Sequence, residues 1–229
     1  MVYKSSKRTQ ERKDLKKRQI VHIAIKVFSI NGYHGTTVKD VVEKADISVG
    51  TFYFYFKNKE DLFETIYDEV SEQFYRALCN SLENKNNELD LGFSKAIAFF
   101  LKVIELNRPL ARIMLIEAVG LNPKFERKRA EVTQKYVNYT AEYFQQMKLC
   151  KMVSIPDVNI CSLAFIGTLY NVIMQWLQNT STNSLTDYAY ALTIYNLQAL
   201  KIDFRDNQVK EGISDVLAKN FEIYRSEKV

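Results

Sequence analysis

The chain has 229 residues, 47% of them apolar and 26% charged, with only seven Gly and three Pro. That balance describes a globular chain and excludes a disordered one, and the scarcity of turn residues favours long helices. The net charge of +5 is unevenly spread: residues 1–59 carry thirteen Lys/Arg against five Asp/Glu, whereas residues 60–229 carry nineteen against twenty-two.

Residues 1–12 read as a flexible basic arm, and residues 4–18 alone hold eight basic groups. Such a run is either a solvated tail or a surface for a polyanion. From Lys13 to Asn31 the apolar residues Ile20, Ala24 and Phe28 fall at i, i+4, i+8 with Ile23 and Val27 beside them, which predicts one amphipathic helix. Asn31-Gly32 ends it, Gly32 being suited to the left-handed closing position. Thr36 or Thr37 can cap a short helix that shows Val38, Val41, Val42 and Ala45 on one side, with Asp40 placed for a capping box with Thr37. Ser48 can cap a second short helix, Val49 to about Tyr55. Two short helices around a tight turn predict a helix-turn-helix over residues 37–56. Asn58 then caps a long helix, 58–82, with Leu62, Ile66 and Val70 down one side. After a break at Asn84–Asn87, further helices are predicted at 90–106, 109–120, 123–150, 157–179, 184–201 and 208–226. Pro109 and Pro123 sit at first turns, Gly120 suits a C-terminal cap, and Ser184 with Asp187 resembles a capping box. Residues 202–207 read as a short polar linker, with the last helix a variable addition. The fold class is therefore all-α.

The segment Phe52-Tyr53-Phe54-Tyr55-Phe56 puts five aromatics in a row beside Lys57 and Lys59. On a helix Phe52 and Phe56 share the inner side, Tyr53 lies at its edge, and Thr51, Phe54 and Tyr55 fall opposite. One use for that outer surface is a DNA major groove, which admits one helix, offers thymine methyls for apolar contact and is walled by phosphates. Gly50 would let the backbone approach. Thr51, Tyr53 and Tyr55 would bond phosphates, Val49 and Phe54 would touch a thymine methyl, Lys59 would add charge at a helix N-terminus, and Lys39 could reach a guanine edge. The plainer use is that these rings glue the first helices to the long one.

GYHGTTVKDVVEKADISVGTFYFYFKNKEDL resembles the DNA-binding segment of the TetR family of bacterial repressors, with its Gly-Tyr, Thr-Thr, small-residue turn and Gly-Thr-aromatic-Tyr pattern in fixed order. The likeness covers about residues 14–74. It implies a three-helix DNA-binding domain there, a ligand-binding and dimerisation domain over 75–229, and DNA contacts at Thr37, Val38, Lys39, Ser48, Val49, Gly50, Thr51, Tyr53, Phe54, Tyr55 and Lys59. Asp46 stands where the family usually has Gly, a substitution the left-handed region tolerates. Val49 stands where many members carry a polar or basic residue.

The second half holds enough aromatic residues for a core and an apolar cavity; Phe99, Val103, Met114, Tyr139, Tyr143, Phe165 and Trp176 are the expected lining, and few charges punctuate these faces, which suits an apolar or aromatic effector. Segments 157–179 and 184–201 are apolar on more than one side, so Leu163, Ile166, Tyr188, Leu192 and Tyr195 are expected in a homodimer interface. The long helix, running from the DNA-binding unit towards the cavity, would carry the switch. The expected partners are operator DNA, a second copy and a small-molecule effector; an architectural DNA-binding protein without effector is the alternative. No catalytic set, metal site or cofactor motif stands out around His22 and His34. Cys79, Cys150 and Cys161 read as free thiols of a reducing cytoplasm. No apolar stretch reaches the roughly 18–20 residues of a membrane span, and no secretory leader precedes the chain, so a membrane partner is not expected.

Overall fold

The computed structural model describes residues 7–82, 88–179 and 183–221, and all regular structure among them is helical. The expected break at Asn84–Asn87 falls outside the described residues. Two compact units emerge. Among the described residues, the first runs to Val70 and also takes in Pro109–Ala118; the second comprises Ser71–Arg108 and Val119 to Phe221. The division falls inside the long helix, a few residues before the expected boundary at 74.

In the first unit, helix α1 (Lys7–Gly35) is followed by α2 (Val38–Lys44), α3 (Val49–Tyr55) and the start of α4 (Lys59–Leu82). Ile20, Ala24 and Phe28 of α1 pack into a core with Val41, Val42, Phe52, Phe56, Leu62, Phe63 and Ile66, all nearly inaccessible. The basic segment from Lys7 to Arg12 is helical rather than a flexible arm. Local pairing supports this: the Gln10 amide donates to Asp14 at 2.9 Å, four residues on. At the other end Gly32 has φ 71°, the left-handed break expected of it.

The segment expected as one helix at 109–120 is a short helix, α6 (Arg108–Arg112), that widens into a π turn over Ile113–Glu117. The Ala118 N–H reaches the Ile113 carbonyl at 3.1 Å, five residues back. Pro109–Ala118 therefore follows α5 (Leu89–Leu106) in sequence but packs against the end of α1, within the first unit.

The second unit is built on α5, α7 (Pro123–Leu149), α8 (Val158–Gln178), α9 (Ala189–Ala199) and α10 (Asp206–Leu217). The Ser184–Asp187 capping box is present but opens a 3₁₀ turn, Leu185–Tyr188, ahead of α9. α10 ends at Leu217, well short of the expected 226, and it is no loose addition. It crosses α5 so closely that a Cβ on Gly212 would overlap Ser94 Oγ and come within 3.0 Å of the Leu91 carbonyl oxygen. The expected polar linker before it is tied down as well: Ile202 is buried, and the Arg205 N–H donates to buried Asp90 at 2.9 Å while its guanidinium pairs with Glu88 and Asp90. Burial alone would raise the Asp90 pKa, but the Arg205 hydrogen bonds outweigh it and hold the carboxyl below its usual range.

α8 corrects one sequence expectation. Val158–Gln178 is long and apolar enough to cross a bilayer by length and composition, with mean hydropathy 1.5. Here it packs along α7 and touches α9 instead, burying Phe165, Leu169, Ile173, Trp176 and Leu177.

Candidate nucleic-acid interface

The interface begins at the end of α1, where charge holds a bent backbone. Glu117 Oε2 accepts the Tyr33 N–H at 3.0 Å, with Arg112 3.6 Å from the other carboxylate oxygen. The same oxygen lies 2.9 Å from where a Cβ on Gly32 would stand, so glycine serves both the backbone angle and the close approach. Lys59 Nζ donates to the Tyr33 and Thr36 carbonyls, each at 2.8 Å, and sits 4.2 Å from the Tyr33 ring centroid. Desolvation lowers the Lys59 pKa. Lys59 was expected at a DNA phosphate; the structure occupies two of its three donors with carbonyls of its own chain. Glu117 was not foreseen, although a lone acid after the apolar run Ile113–Ile116 was a visible signal.

From there the two short helices are set by their caps. Thr36 is buried and its hydroxyl returns to the Gly32 carbonyl at 2.8 Å, which leaves Thr37 as the cap of α2. Thr37 Oγ1 accepts the Asp40 N–H at 3.2 Å and the Asp40 carboxylate accepts the Thr37 N–H at 2.7 Å, a closed capping box that lowers the Asp40 pKa. Asp46 takes φ 49° in the turn, the conformation for which glycine is the usual residue. Ser48 Oγ then accepts the Thr51 N–H at 3.0 Å and starts α3, and Asn58 caps α4 by accepting the Asp61 N–H at 2.8 Å.

α3 sorts its aromatics by depth. Phe52 and Phe56 are 0% and 2% exposed, the inner anchors expected. Val49, Tyr53 and Phe54 are 52%, 55% and 63% exposed, an unusual apolar surface for so short a helix. Tyr55 differs from expectation: it is half-buried between Phe54 and Phe56, at centroid distances of 4.9 and 6.5 Å, while Tyr53 is the more open ring. The two tyrosines flank the buried side by about 80° each, so helical phase does not distinguish them and packing does. Thr37, Lys39, Ser48 and Gly50 are exposed around α3; Val38 and Thr51 are half-buried. Lys39 pairs loosely with Glu43 at 3.6 Å on the open surface. Thr37 and Thr51 share their hydroxyls with Asp40 and Ser48, each at 2.8 Å.

The residues expected around an effector fall in both units. Met114 belongs to the first unit, in the π turn. In the second unit Tyr143 and Phe165 join a ring cluster with Phe93 and Phe144, at centroid distances of 5.6–6.4 Å, and burial raises the Tyr143 pKa. Val103 is buried on α5, and Phe99 packs on Phe221 at 5.6 Å. Tyr139 opens instead onto a charged groove of about 390 Å³ with Glu131, Lys135 and Glu142. Trp176 is buried under Arg108, 4.4 Å above its ring, with its N–H on the Asn183 carbonyl at 3.1 Å. Of the expected dimer residues, Leu163 and Tyr195 are exposed at 52% and 58%, Ile166 and Tyr188 are half-buried, and Leu192 is 6% exposed, turned inward.

Comparison with known proteins bears on both units. Residues 20–66 match the sequence profile described as bacterial regulatory proteins, tetR family. The fatty acid metabolism regulator protein of Bacillus subtilis (strain 168) is 26% identical over 165 residues, covering 70% of this chain and 83% of that one. Among solved structures, the fatty acid degradation regulator FadR of Bacillus halodurans superposes with a TM-score of 0.72 at 23% identity, covering 82% of this chain and 97% of that one. FadR of Bacillus subtilis in complex with stearoyl-CoA gives a TM-score of 0.68 at 22% identity, covering 78% and 96%. These likenesses establish that the fold extends over both units.

Proposed function

We propose that the chain is a DNA-binding transcriptional regulator of the TetR family, a homodimeric repressor that reads a palindromic operator and is switched by a small molecule with an apolar body. The observation that carries DNA reading is the division within α3: Phe52 and Phe56 are sealed in the core, while Val49, Tyr53 and Phe54 stand open beside exposed Gly50 and Lys57. Apolar groups on a helix ringed by cations and hydroxyls suit a groove floored with thymine methyls and walled by phosphates. Thr37, Lys39, Ser48, Thr51, Tyr53 and Tyr55 are the proposed phosphate or base-edge contacts. Lys59 acts first by holding the Tyr33–Thr36 backbone, and its third donor is the one left for a phosphate.

A dimer would present two copies of α3 about 34–36 Å apart, one per half-site. The exposed, uncharged side of α8 and α9, with Ile160, Leu163 and Tyr195, supports that pairing. The Phe93–Tyr143–Phe144–Phe165 cluster supports an apolar effector, as does the B. subtilis relative bound to stearoyl-CoA. The effector need only favour a state in which the two α3 helices no longer match the groove spacing. A bacterial regulator of this kind works in the cytoplasm, and the relatives give no support to catalysis. An architectural DNA-binding protein without an effector is the second reading.

The test is selection from a randomised duplex library. A palindrome with half-sites about ten base pairs apart is expected, released by long-chain acyl-CoA or a related apolar ligand. Recovery of no preferred sequence would overturn specific reading; a palindrome indifferent to every apolar ligand tried would favour the architectural reading.

A further inference from the structure

The first turns of α1 carry charge that the helix-turn-helix does not account for. Residues 7–18 hold seven Lys/Arg and two acids, and they precede the stretch that matches the family profile, which starts at Ile20. They are helical, and from Thr9 on the side chains have fixed directions. Arg12, Lys16, Lys13 and Lys17 fall within an arc of about 140°, whereas Glu11 and Asp14 lie on the far side. Two ring contacts fix which way that arc turns. Lys13 Nζ is 5.2 Å from the centroid of the exposed Phe54 ring, and Lys17 Nζ is 5.5 Å from that of Phe56. The cationic side of α1 therefore borders the outward face of α3.

Neutralisation within the chain is partial. Lys17 and Arg18 act on the carboxyl of Glu69, whose pKa is raised by desolvation against the pull of these two cations. Arg12, Lys13 and Lys16 make no ion pair among the described residues. A row of unpaired cations on a rigid helix, set beside an aromatic reading surface, is complementary to a line of phosphates.

We propose that Arg12, Lys13 and Lys16 form a second DNA-binding element, a helical clamp that grips the sugar-phosphate backbone flanking the half-site read by α3. The inference rests on the reading of α3 as the recognition helix and adds a surface to it. From Lys7 to Ile20 the helix extends about 20 Å, the axial length of roughly six base pairs. Its partners are phosphates, so it lengthens the footprint and raises affinity without adding base preference.

The experiment compares wild type with the triple variant Arg12→Gln, Lys13→Gln, Lys16→Gln, which keeps good helix formers at all three positions. The probes are duplexes that wild type recovers from a library randomised over about 40 base pairs, used at full length and trimmed to the palindrome. For the variant, affinity for the full duplex is expected to fall about tenfold or more, and the slope of log K against log salt to become shallower by about 0.9 for each phosphate that is no longer neutralised. Trimming the flanks should weaken wild type by the same factor and leave the variant unchanged, while the selected sequence stays the same for both. Equal slopes and equal flank dependence for the two proteins would overturn the clamp while leaving α3 as the reader. Failure of wild type to retain any duplex would instead overturn the reading of α3. Phosphatidylserine vesicles provide the remaining arm: wild type that binds them as tightly as the duplex, with the variant losing only the vesicles, would assign this face to a membrane and overturn the proposal.

Discussion

Two surfaces of this molecule leave large apolar side chains open to solvent, and they differ in charge. On α3, Val49, Tyr53 and Phe54 are exposed with Lys57 near at hand and the cationic side of α1 bordering them. On α8, Ile160 and Leu163 are exposed on a helix without a single Lys, Arg, Asp or Glu along its length. An apolar patch ringed by cations suits a polyanion that also offers methyl groups. An apolar patch without charge suits a surface like itself, because nothing there would be left unpaired on burial. Under the proposed function, the exposed hydrophobic area of the first unit meets DNA and that of the second meets a second copy.

The contrast can be broken most sharply behind α3. Phe52→Ala empties a fully buried site and is expected to cost about 3–5 kcal/mol, unfolding the first unit's core, whereas Phe54→Ala should change stability by no more than about 0.5 kcal/mol and weaken DNA binding. Thermal melts and a binding isotherm on the two variants separate an anchor from a reader, and equal melting losses would mean that the outward face is core. On the other surface, a Cβ at Gly167 would meet nothing within 4 Å in the single chain. Gly167→Arg is therefore expected to leave the protomer folded, yield monomers by light scattering, and cut affinity for a palindrome by about a hundredfold through lost bivalency. A dimer that persists would remove α8 from the interface.

Behind α8 and α9 lies the α5–α10 seam, where substitution should affect stability and leave DNA reading alone. Gly212→Ala forces a methyl against Ser94 and the Leu91 carbonyl, at an expected cost of about 1–3 kcal/mol read by denaturant titration. The smallest effect is expected with acid. The Asp90 pKa is depressed by Arg205 in the folded chain, so its contribution is present above the ordinary carboxylate range near pH 4 and fades as the pH drops below it. Amide exchange in α10 should accelerate selectively there, and Asp90→Asn should abolish the pH dependence.

The local chemistry of the first unit was legible because it depends on neighbours in sequence. Thr37 with Asp40, Ser48 with Thr51, Asn58 with Asp61, Gly32 and Asp46 each act over three or four residues or on a single backbone angle. Helical phase likewise assigned Phe52 and Phe56 to the core. The proposed effector lining was much less legible. Met114, Tyr139, Trp176 and Phe165 look alike in a periodic reading, yet they end in a π turn, a charged groove, a capped corner and a ring cluster.

Caps, breaks and buried stripes, and through them the helix-turn-helix, were determined by the sequence itself, since hydrogen-bond geometry and a 3.6-residue period operate within a few residues. Tertiary structure alone decided that Pro109–Ala118 joins the first unit, that Glu117 and Lys59 hold the same bend, that Tyr55 is covered in place of Tyr53, and that the basic start of α1 is a helix facing α3. Each of those outcomes turns on which distant side chain arrives to fill a space or meet a charge, and spacing along the chain carries no record of that.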